Sequence, residues 1–338
     1  MALMNFREKL PERIRVSLGS AVILGLEETR LDAAPTTAYL MTYRQEKCTA
    51  NCGFCPQARA SSTSSDMLSR VSWPAYQTQK VLERIVVAVN NSKVKRVCIQ
   101  ATNYPQVFTD LHTIVQSINQ STSVPISVSC QPFNQGNLYQ MLDAGVERIS
   151  IPLDVATKDA FDRVKGVDVG GPYRWERQWL LLNEAKRIFG KNRVSTHLIV
   201  GLGETEKEMV AIIQKCVDMT VLPGLFAFTP IRGTALENQA QPSIGKYRRI
   251  QTARHLILHR ISRYEDMEFD KKGLITDFGI SREILARIIR TGKPFVTSGC
   301  PNCNRPFYNE KPSGPIYNFP RGLTSGEISA VKKELGLE

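Results

Sequence analysis

Three cysteines, Cys48, Cys52 and Cys55, stand at C-x3-C-x2-C spacing in the stretch Lys47-Cys48-Thr49-Ala50-Asn51-Cys52-Gly53-Phe54-Cys55-Pro56, directly after a short apolar run. Three thiolates can hold three corners of a cubic iron–sulfur cluster, which normally takes four ligands. One iron is then open, and an open position separates a metal site that does chemistry from one that only staples a fold. A zinc knuckle is the other reading, but it calls for a fourth Cys or His within a few residues, and the next cysteine is Cys98. A further pair, Cys300 and Cys303, lies at C-x2-C spacing near the C-terminus, where it could hold a second cluster or form half of a zinc ribbon.

The elements that must position these thiols alternate. From Thr37 onward, short β-rich runs near 37–42, 94–101, 125–130, 148–154, 193–200, 224–230, 266–271 and 295–298 are separated by amphipathic stretches near 75–90, 106–119, 135–144, 157–164, 174–189, 205–219, 243–262 and 281–291. Strand and helix in alternation give a parallel sheet wrapped by helices. Eight such units over ~250 residues make a (β/α)8 TIM-type barrel, whose active site lies on the loops at the C-terminal ends of the strands. The expected organisation is an N-terminal helical lead-in over 1–36, the barrel over 37–299, and a segment over 300–338 carrying the second cysteine pair across the barrel mouth. Ile14, Leu18, Val22 and Leu26 set the helical register of the lead-in.

Alternation along strands says what faces the barrel interior. Cys98 and Gln100, Ser127 and Ser129, and Ser150, Pro152 and Asp154 are expected inside, with Val97, Ile99, Ile126, Val128, Ile149, Ile151 and Leu153 turned to the helices. Cys98 is the expected third ligand of a second site beside Cys300 and Cys303. Cys130 is its rival, although strict alternation aims it outward. Cys216 reads as a small core residue, and His255 and His259, four apart on a helix, have no third ligand nearby.

Composition narrows the class. The chain has 338 residues, 42% of them hydrophobic, and its longest apolar runs are far too short to span a bilayer. With no secretory leader read at the N-terminus and eight cysteines clustered at ligand spacings, a cytoplasmic, reducing setting is expected, with no membrane partner. The net charge of +12 is spread out and lacks a dense basic arm, so nucleic acid is not an expected partner. A solvated basic surface or an acidic protein partner accounts for it.

The cysteine motif, with Phe54 just before its last thiol, resembles that of the radical S-adenosylmethionine (radical SAM) family. Leu198-Ile199-Val200-Gly201-Leu202-Gly203-Glu204 resembles the family's fifth-strand pattern, and Phe226 to Thr234 resembles the sixth-strand segment of biotin synthases. The resemblance implies a [4Fe-4S] cluster on Cys48, Cys52 and Cys55 that binds S-adenosylmethionine at its open iron and cleaves it to a 5′-deoxyadenosyl radical. It also implies that Phe54, Ile199, Gly201, Gly203 and Glu204 cradle adenosine. Gln100, Ala101 and Thr102 would sit by the methionine amino group, and Asp154 would act as a ligand-contacting carboxylate.

Biotin synthases carry a second cluster on cysteines inside the barrel. Here Cys98 falls at one such position, but Ser127 and Ser195 occupy the other two. The tail from Ser298 to Arg321 instead resembles the second component of two-protein lipoyl synthases. That likeness implies sulfur insertion into a protein-bound octanoyl chain. It also implies a partner lipoyl synthase component, an octanoylated acidic carrier protein, and an electron donor such as ferredoxin or flavodoxin. A second cluster that only transfers electrons, and a non-catalytic iron–sulfur or zinc module, stay open as alternatives. Replacing Cys48, Cys52 and Cys55 together by Ala should remove one four-iron cluster and all 5′-deoxyadenosine formation. Iron analysis and anaerobic product assay test this, and continued cleavage of S-adenosylmethionine would refute the assignment.

Overall fold

The computed structural model describes residues 9–337. It begins with a strand. β1 (Arg13–Val16) leads into a short helix, α1 (Leu18–Ile23), and then β2 (Thr37–Thr42). After the cysteine loop come a small ribbon of β3 (Met67–Leu68) and β4 (Val71–Ser72), strand β5 (Ala75–Gln77) and helix α2 (Thr78–Asn90). Strand and helix then alternate: β6 (Arg96–Gln100), α3 (Val107–Ser121), β7 (Ile126–Ser129), α4 (Gln135–Asp143) and β8 (Arg148–Ser150). Two helices follow, α5 (Lys158–Val164) and α6 (Trp175–Phe189), before β9 (Val194–Val200), α7 (Glu206–Asp218), β10 (Leu222–Ala227) and α8 (Ile244–Leu258). The remainder holds a ribbon of β11 (Glu268–Phe269) and β12 (Ile275–Asp277), then α9 (Arg282–Arg290) and α10 (Ser325–Glu334).

The main sheet runs β10-β9-β8-β7-β6-β2-β1-β5. Its first six strands are parallel neighbours; β1 pairs antiparallel with β2 and with β5. This is the α/β, TIM-type barrel of the radical SAM kind read from the alternation, with a different inventory at its seam. Residues 13–16 were expected in a helix but form β1, because Ile14 and Val16 also fit a two-residue period and the edge of β2 offers hydrogen-bond partners. Residues 75–77, expected to open a helix, form β5.

The seventh and eighth expected strands do not join the sheet. Residues 266–271 contribute only to the separate β11–β12 ribbon, and 293–295 form a 3₁₀ turn with Pro294 near its start. Proline cannot donate to a ladder. Only Val296 keeps strand-like pairing, a single bridge to Phe319.

The open side between β10 and β5 is closed by the C-terminal tail. At one end of the barrel Leu225 N–H donates to Ser298 Oγ at 2.7 Å, and the Thr37 hydroxyl donates to the Asn302 carbonyl at 3.1 Å. At the other end Thr229 Oγ1 donates to the Asn309 carbonyl at 3.0 Å, while Ser69 of the β3–β4 ribbon donates to the Tyr308 carbonyl at 3.1 Å. The tail therefore climbs the seam from floor to mouth.

Arg248 pins this tail from α8. Its side chain is buried and donates to the Ile316 and Tyr317 carbonyls and to Gln251 Oε1, and it pairs with Glu334 at 2.7 Å. Arg248→Met should cost about 3–5 kcal/mol, the usual loss when one partner of a buried ionic network is removed. Denaturant midpoints and faster proteolysis within 300–337 would show it; an unchanged midpoint would mean the tail is held elsewhere.

Candidate active site in the barrel

The cysteine loop leaves the C-terminal end of β2 and is clamped from both sides. Cys48 N–H donates to the Gln57 carbonyl at 3.0 Å, and Thr49 N–H to the Asn103 carbonyl at 2.8 Å. On the far side Gly53 N–H donates to the Val164 carbonyl at 2.7 Å, and Asn51 Nδ2 to the Val169 carbonyl at 2.8 Å. Two backbone donors point at the Cys48 sulfur, Asn103 N–H at 3.0 Å and Ala50 N–H at 3.4 Å. Such donors stabilise a thiolate.

Burial nevertheless pushes all three thiols up, Cys52 to about 12, with Lys165 opposing the shift at Cys48 and Cys52. Cys48 raises Cys52, and both raise Cys55, as close neighbours do. Binding a metal centre here must release protons. Among the described residues, no group of three or more His, Cys, Asp or Glu is gathered so as to hold a metal ion. A single ion draws its donors around one point, whereas a cluster gives each thiolate its own iron. Three neighbouring thiols on a clamped loop, with two backbone donors on Cys48, suit the cluster.

The barrel interior is hollow. It holds a cavity of about 190 Å³, against the ~10–15 Å³ that one water needs, so the polar residues turned inward are not merely satisfying one another in a solid core. Phe54 and Cys55, on the loop beyond the C-terminal end of β2, line the cavity together with Cys98, Cys300 and Cys303. The second group sits at the floor, which corrects the expectation that Cys300 and Cys303 lie at the mouth. Arg96, at the start of β6, donates from Nε to the Pro301 carbonyl at 3.0 Å, and Ser127 Oγ lies 3.5 Å from Cys300 Sγ. Because the strand expected over 295–298 does not form, the C-x2-C turn enters the barrel from below.

Cys98 feels both Cys300 and Cys303, and burial is the largest cause of its raised value. Cys303 Sγ is 3.4 Å from the Tyr39 hydroxyl, which accepts from Arg305 N–H at 3.0 Å. Gly299 packs close by: a Cβ there would stand 3.0 Å from Cys303 Sγ, so the sulfur would have to shift to admit a larger residue. Cys130 and Cys216 are buried in the main apolar core between sheet and helices.

The family model of the radical SAM superfamily matches residues 42–216, more than half of the chain. The chain belongs to the radical SAM superfamily. Over 112 residues it is 30% identical to a GTP 3′,8-cyclase of Microcystis aeruginosa (strain NIES-843 / IAM M-2473), a match taking in 32% of this chain and 33% of that protein. The chain thus spans about a third of that curated relative. Among solved structures it is similar to the FeFe-hydrogenase maturase HydG from Carboxydothermus hydrogenoformans (TM-score 0.51, 14% identity, 67% of this chain and 52% of that one). It is also similar to methylornithine synthase (TM-score 0.51, 13% identity, 71% and 65%). At these identities the likeness is one of fold.

Membership implies a [4Fe-4S] cluster and S-adenosylmethionine. Gln100 and Ile199 line the cavity, and Phe54 and Ile199 share an apolar cluster with Leu202 and Phe228. Ala101 and Thr102 are engaged through their backbones, Ala101 with the Ser129 carbonyl and Thr102 with Thr42 Oγ1, and so shape the loop over β6. Gly201 has φ +107, and a Cβ there would meet Pro242 at 2.8 Å, so only glycine fits this turn. Gly203 also has positive φ. Glu204 is buried and shapes the turn itself: its carboxylate accepts from Gly201 N–H and Leu202 N–H, both at 2.9 Å, and pairs with Lys246 at 2.9 Å. Asp154 lines the cavity with its backbone in the left-handed region.

Sequence reasoning missed Lys165, His197, Arg305 and Tyr39. His197 had a signal, since alternation along β9 buries Val194, Thr196, Leu198 and Val200 outward and leaves Ser195, His197 and Ile199 inward. Its ring is 4.8 Å from that of Phe226, whose face carries the Arg305 guanidinium at 3.9 Å. Burial pushes His197 down to about 4 from an ordinary 6.5, so the imidazole is neutral at pH 7. A histidine depressed on folding contributes stability that is complete above pH 6.5 and is lost as pH falls toward 4, where the unfolded chain takes up the proton first. His197→Gln should therefore flatten the fall of the urea midpoint between pH 6.5 and 4 relative to the wild-type chain. Identical slopes would refute the assignment.

Proposed function

We propose that this radical SAM enzyme inserts sulfur into an unactivated C–H bond of a protein-bound octanoyl chain, acting with a partner lipoyl synthase component. One observation carries the reading: a single, largely apolar cavity has the cluster loop at its mouth and a second thiol trio, Cys98, Cys300 and Cys303, at its floor. Cys48, Cys52 and Cys55 would hold a [4Fe-4S] cluster that with S-adenosylmethionine would supply hydrogen-abstracting radical chemistry, and Cys98, Cys300 and Cys303 would hold a second cluster as the source of sulfur. The chain's own task is to aim and exclude. Leu68, Ile199, Phe226 and Phe228 offer an alkyl chain an apolar wall between the two thiol groups. Asp154, just beyond β8 and bridged to Leu198 of β9, orients the ligand. The +12 charge favours an acidic carrier for the octanoyl group and an acidic electron donor such as ferredoxin or flavodoxin.

The similarity to a GTP 3′,8-cyclase favours a second reading, a purine nucleotide as substrate. Triphosphate recognition calls for clustered cations. Among the described residues lining the cavity the cations are Arg148 and Arg305, and both give hydrogen bonds to backbone carbonyls. The alkyl reading fits that wall better.

The test is anaerobic reconstitution with octanoylated carrier, a short octanoyl peptide, a desthiobiotin-type compound and GTP, followed by mass spectrometry for new carbon–sulfur bonds. Cys300→Ala with Cys303→Ala should keep the first cluster and still release 5′-deoxyadenosine, lose one cluster's worth of iron and sulfide, and form no carbon–sulfur bond. Sulfurated product from that variant would remove these cysteines as the sulfur source. Turnover of GTP alone would replace the octanoyl reading with the nucleotide one.

A further inference from the structure

Lys165, the first residue beyond α5, is only 1% exposed. An ammonium so deep must be met by charge and hydrogen bonds. Its Nζ donates to Asp154 Oδ2 at 2.6 Å and to the Pro152 carbonyl at 2.9 Å, and it lies 5.0 Å from the Tyr173 ring centre and 5.5 Å from that of Phe161. Its partner is held as firmly. Asp154 has φ +69, a conformation that a residue with a side chain keeps only when its surroundings enforce it. The backbone is spliced into β9, with Asp154 N–H donating to the His197 carbonyl and Ile199 N–H to the Asp154 carbonyl, each at 2.8 Å.

The same short segment that carries Lys165 also grips the cysteine loop. Gly53 N–H reaches the Val164 carbonyl at 2.7 Å, Asn51 Nδ2 the Val169 carbonyl at 2.8 Å, and Arg59 Nη2 the Gly170 carbonyl at 3.1 Å. Residues 164–170 thus touch the cluster loop on one side and, through one ammonium, the cavity carboxylate on the other.

We propose that Lys165 is a positioning residue that fixes the Asp154 carboxylate at the cavity wall and keys it to the seating of the cysteine loop, so that loop and carboxylate hold S-adenosylmethionine as one unit. The inference rests on the placing of that ligand beside Asp154 in the reading above. Removing the ammonium alone strands the carboxylate, and removing both charges does not, so the pair must respond non-additively.

The experiment compares Lys165→Met, Lys165→Arg, Asp154→Asn and the Lys165→Met, Asp154→Asn double variant. In the metal-free chain, Lys165→Met should be cut by protease in the cysteine loop several-fold faster than wild type, and the double variant should regain much of the protection. In the reconstituted enzyme, Lys165→Met should bind full iron and raise the KM for S-adenosylmethionine about tenfold with kcat changed far less. Lys165→Arg should recover most of this, and the double variant should be no worse than the worse single one.

An unchanged KM with an unchanged cleavage rate would overturn the proposal, as would losses that multiply in the double variant. If Lys165→Met does not fold, the double variant is compared with Asp154→Asn: equal KM supports the proposal and a further rise overturns it. Should the wild-type enzyme not cleave S-adenosylmethionine at all, the functional reading fails, while the metal-free cleavage pattern still decides whether Lys165 seats the loop.

Discussion

The free edge of β10 governs this molecule. Six parallel strands curve only part of the way round, and β1 and β5 extend the other edge antiparallel. Unpaired strand edges invite pairing and must be covered. Here the cover is an irregular tail with left-handed residues at Asn302, Arg305 and Phe307, a backbone that no regular strand would adopt. A regular strand in that place would present side chains in strict alternation. The irregular one instead delivers two thiols, an arginine and a tyrosine to the barrel axis, so closing the sheet and furnishing the floor are the same event.

A barrel of this kind is ordinarily filled by layers of branched apolar side chains. On β6, β7 and β8 the branched residues, Val97, Ile99, Val128 and Ile149, instead support the helices, and small or polar side chains face inward. Ser127, Ser129 and Ser150 are too small to meet across the axis. The apolar core between sheet and helices supplies the stability, which leaves the interior free to be a site.

That division explains what the sequence made legible. Period-two alternation placed Cys98, Gln100 and Asp154 inside and Cys130 outside, because β6 and β7 are buried on the helix side by unambiguous apolar runs. The cysteine loop was legible from spacing alone. The seam was not. Residues 295–298 look like a strand in composition, but the backbone there is decided by Pro294 and by partners such as Phe319 and Leu225 that are distant in sequence. Counting it as an eighth strand sent the second cysteine pair to the wrong end. Lys165 was invisible for a related reason: a lysine one residue past a helix reads as solvent-exposed, and only the return of that loop over Asp154 buries it.

The two thiol groups face a common electrostatic difficulty. Burial pushes up Cys48, Cys52 and Cys55 in the one and Cys98 and Cys303 in the other, yet the thiols of either would have to become thiolates to hold a cluster. Each also has cations that oppose the shift, Lys165 near the loop and Arg305 with Arg96 near the floor. None of the three is held mainly by the thiols: Lys165 is fixed by Asp154, Arg96 by Glu147 and Ser127, and Arg305 by backbone carbonyls and the Phe226 face. Because the cations are anchored before any thiolate forms, the field that favours thiolate is already in place when a cluster arrives. A site charged only by its own ligands would have to pay that reorganisation on loading. Pre-organisation of charge by residues outside the motif lets three cysteines on a loop suffice, and it is why the motif alone underdetermines the site.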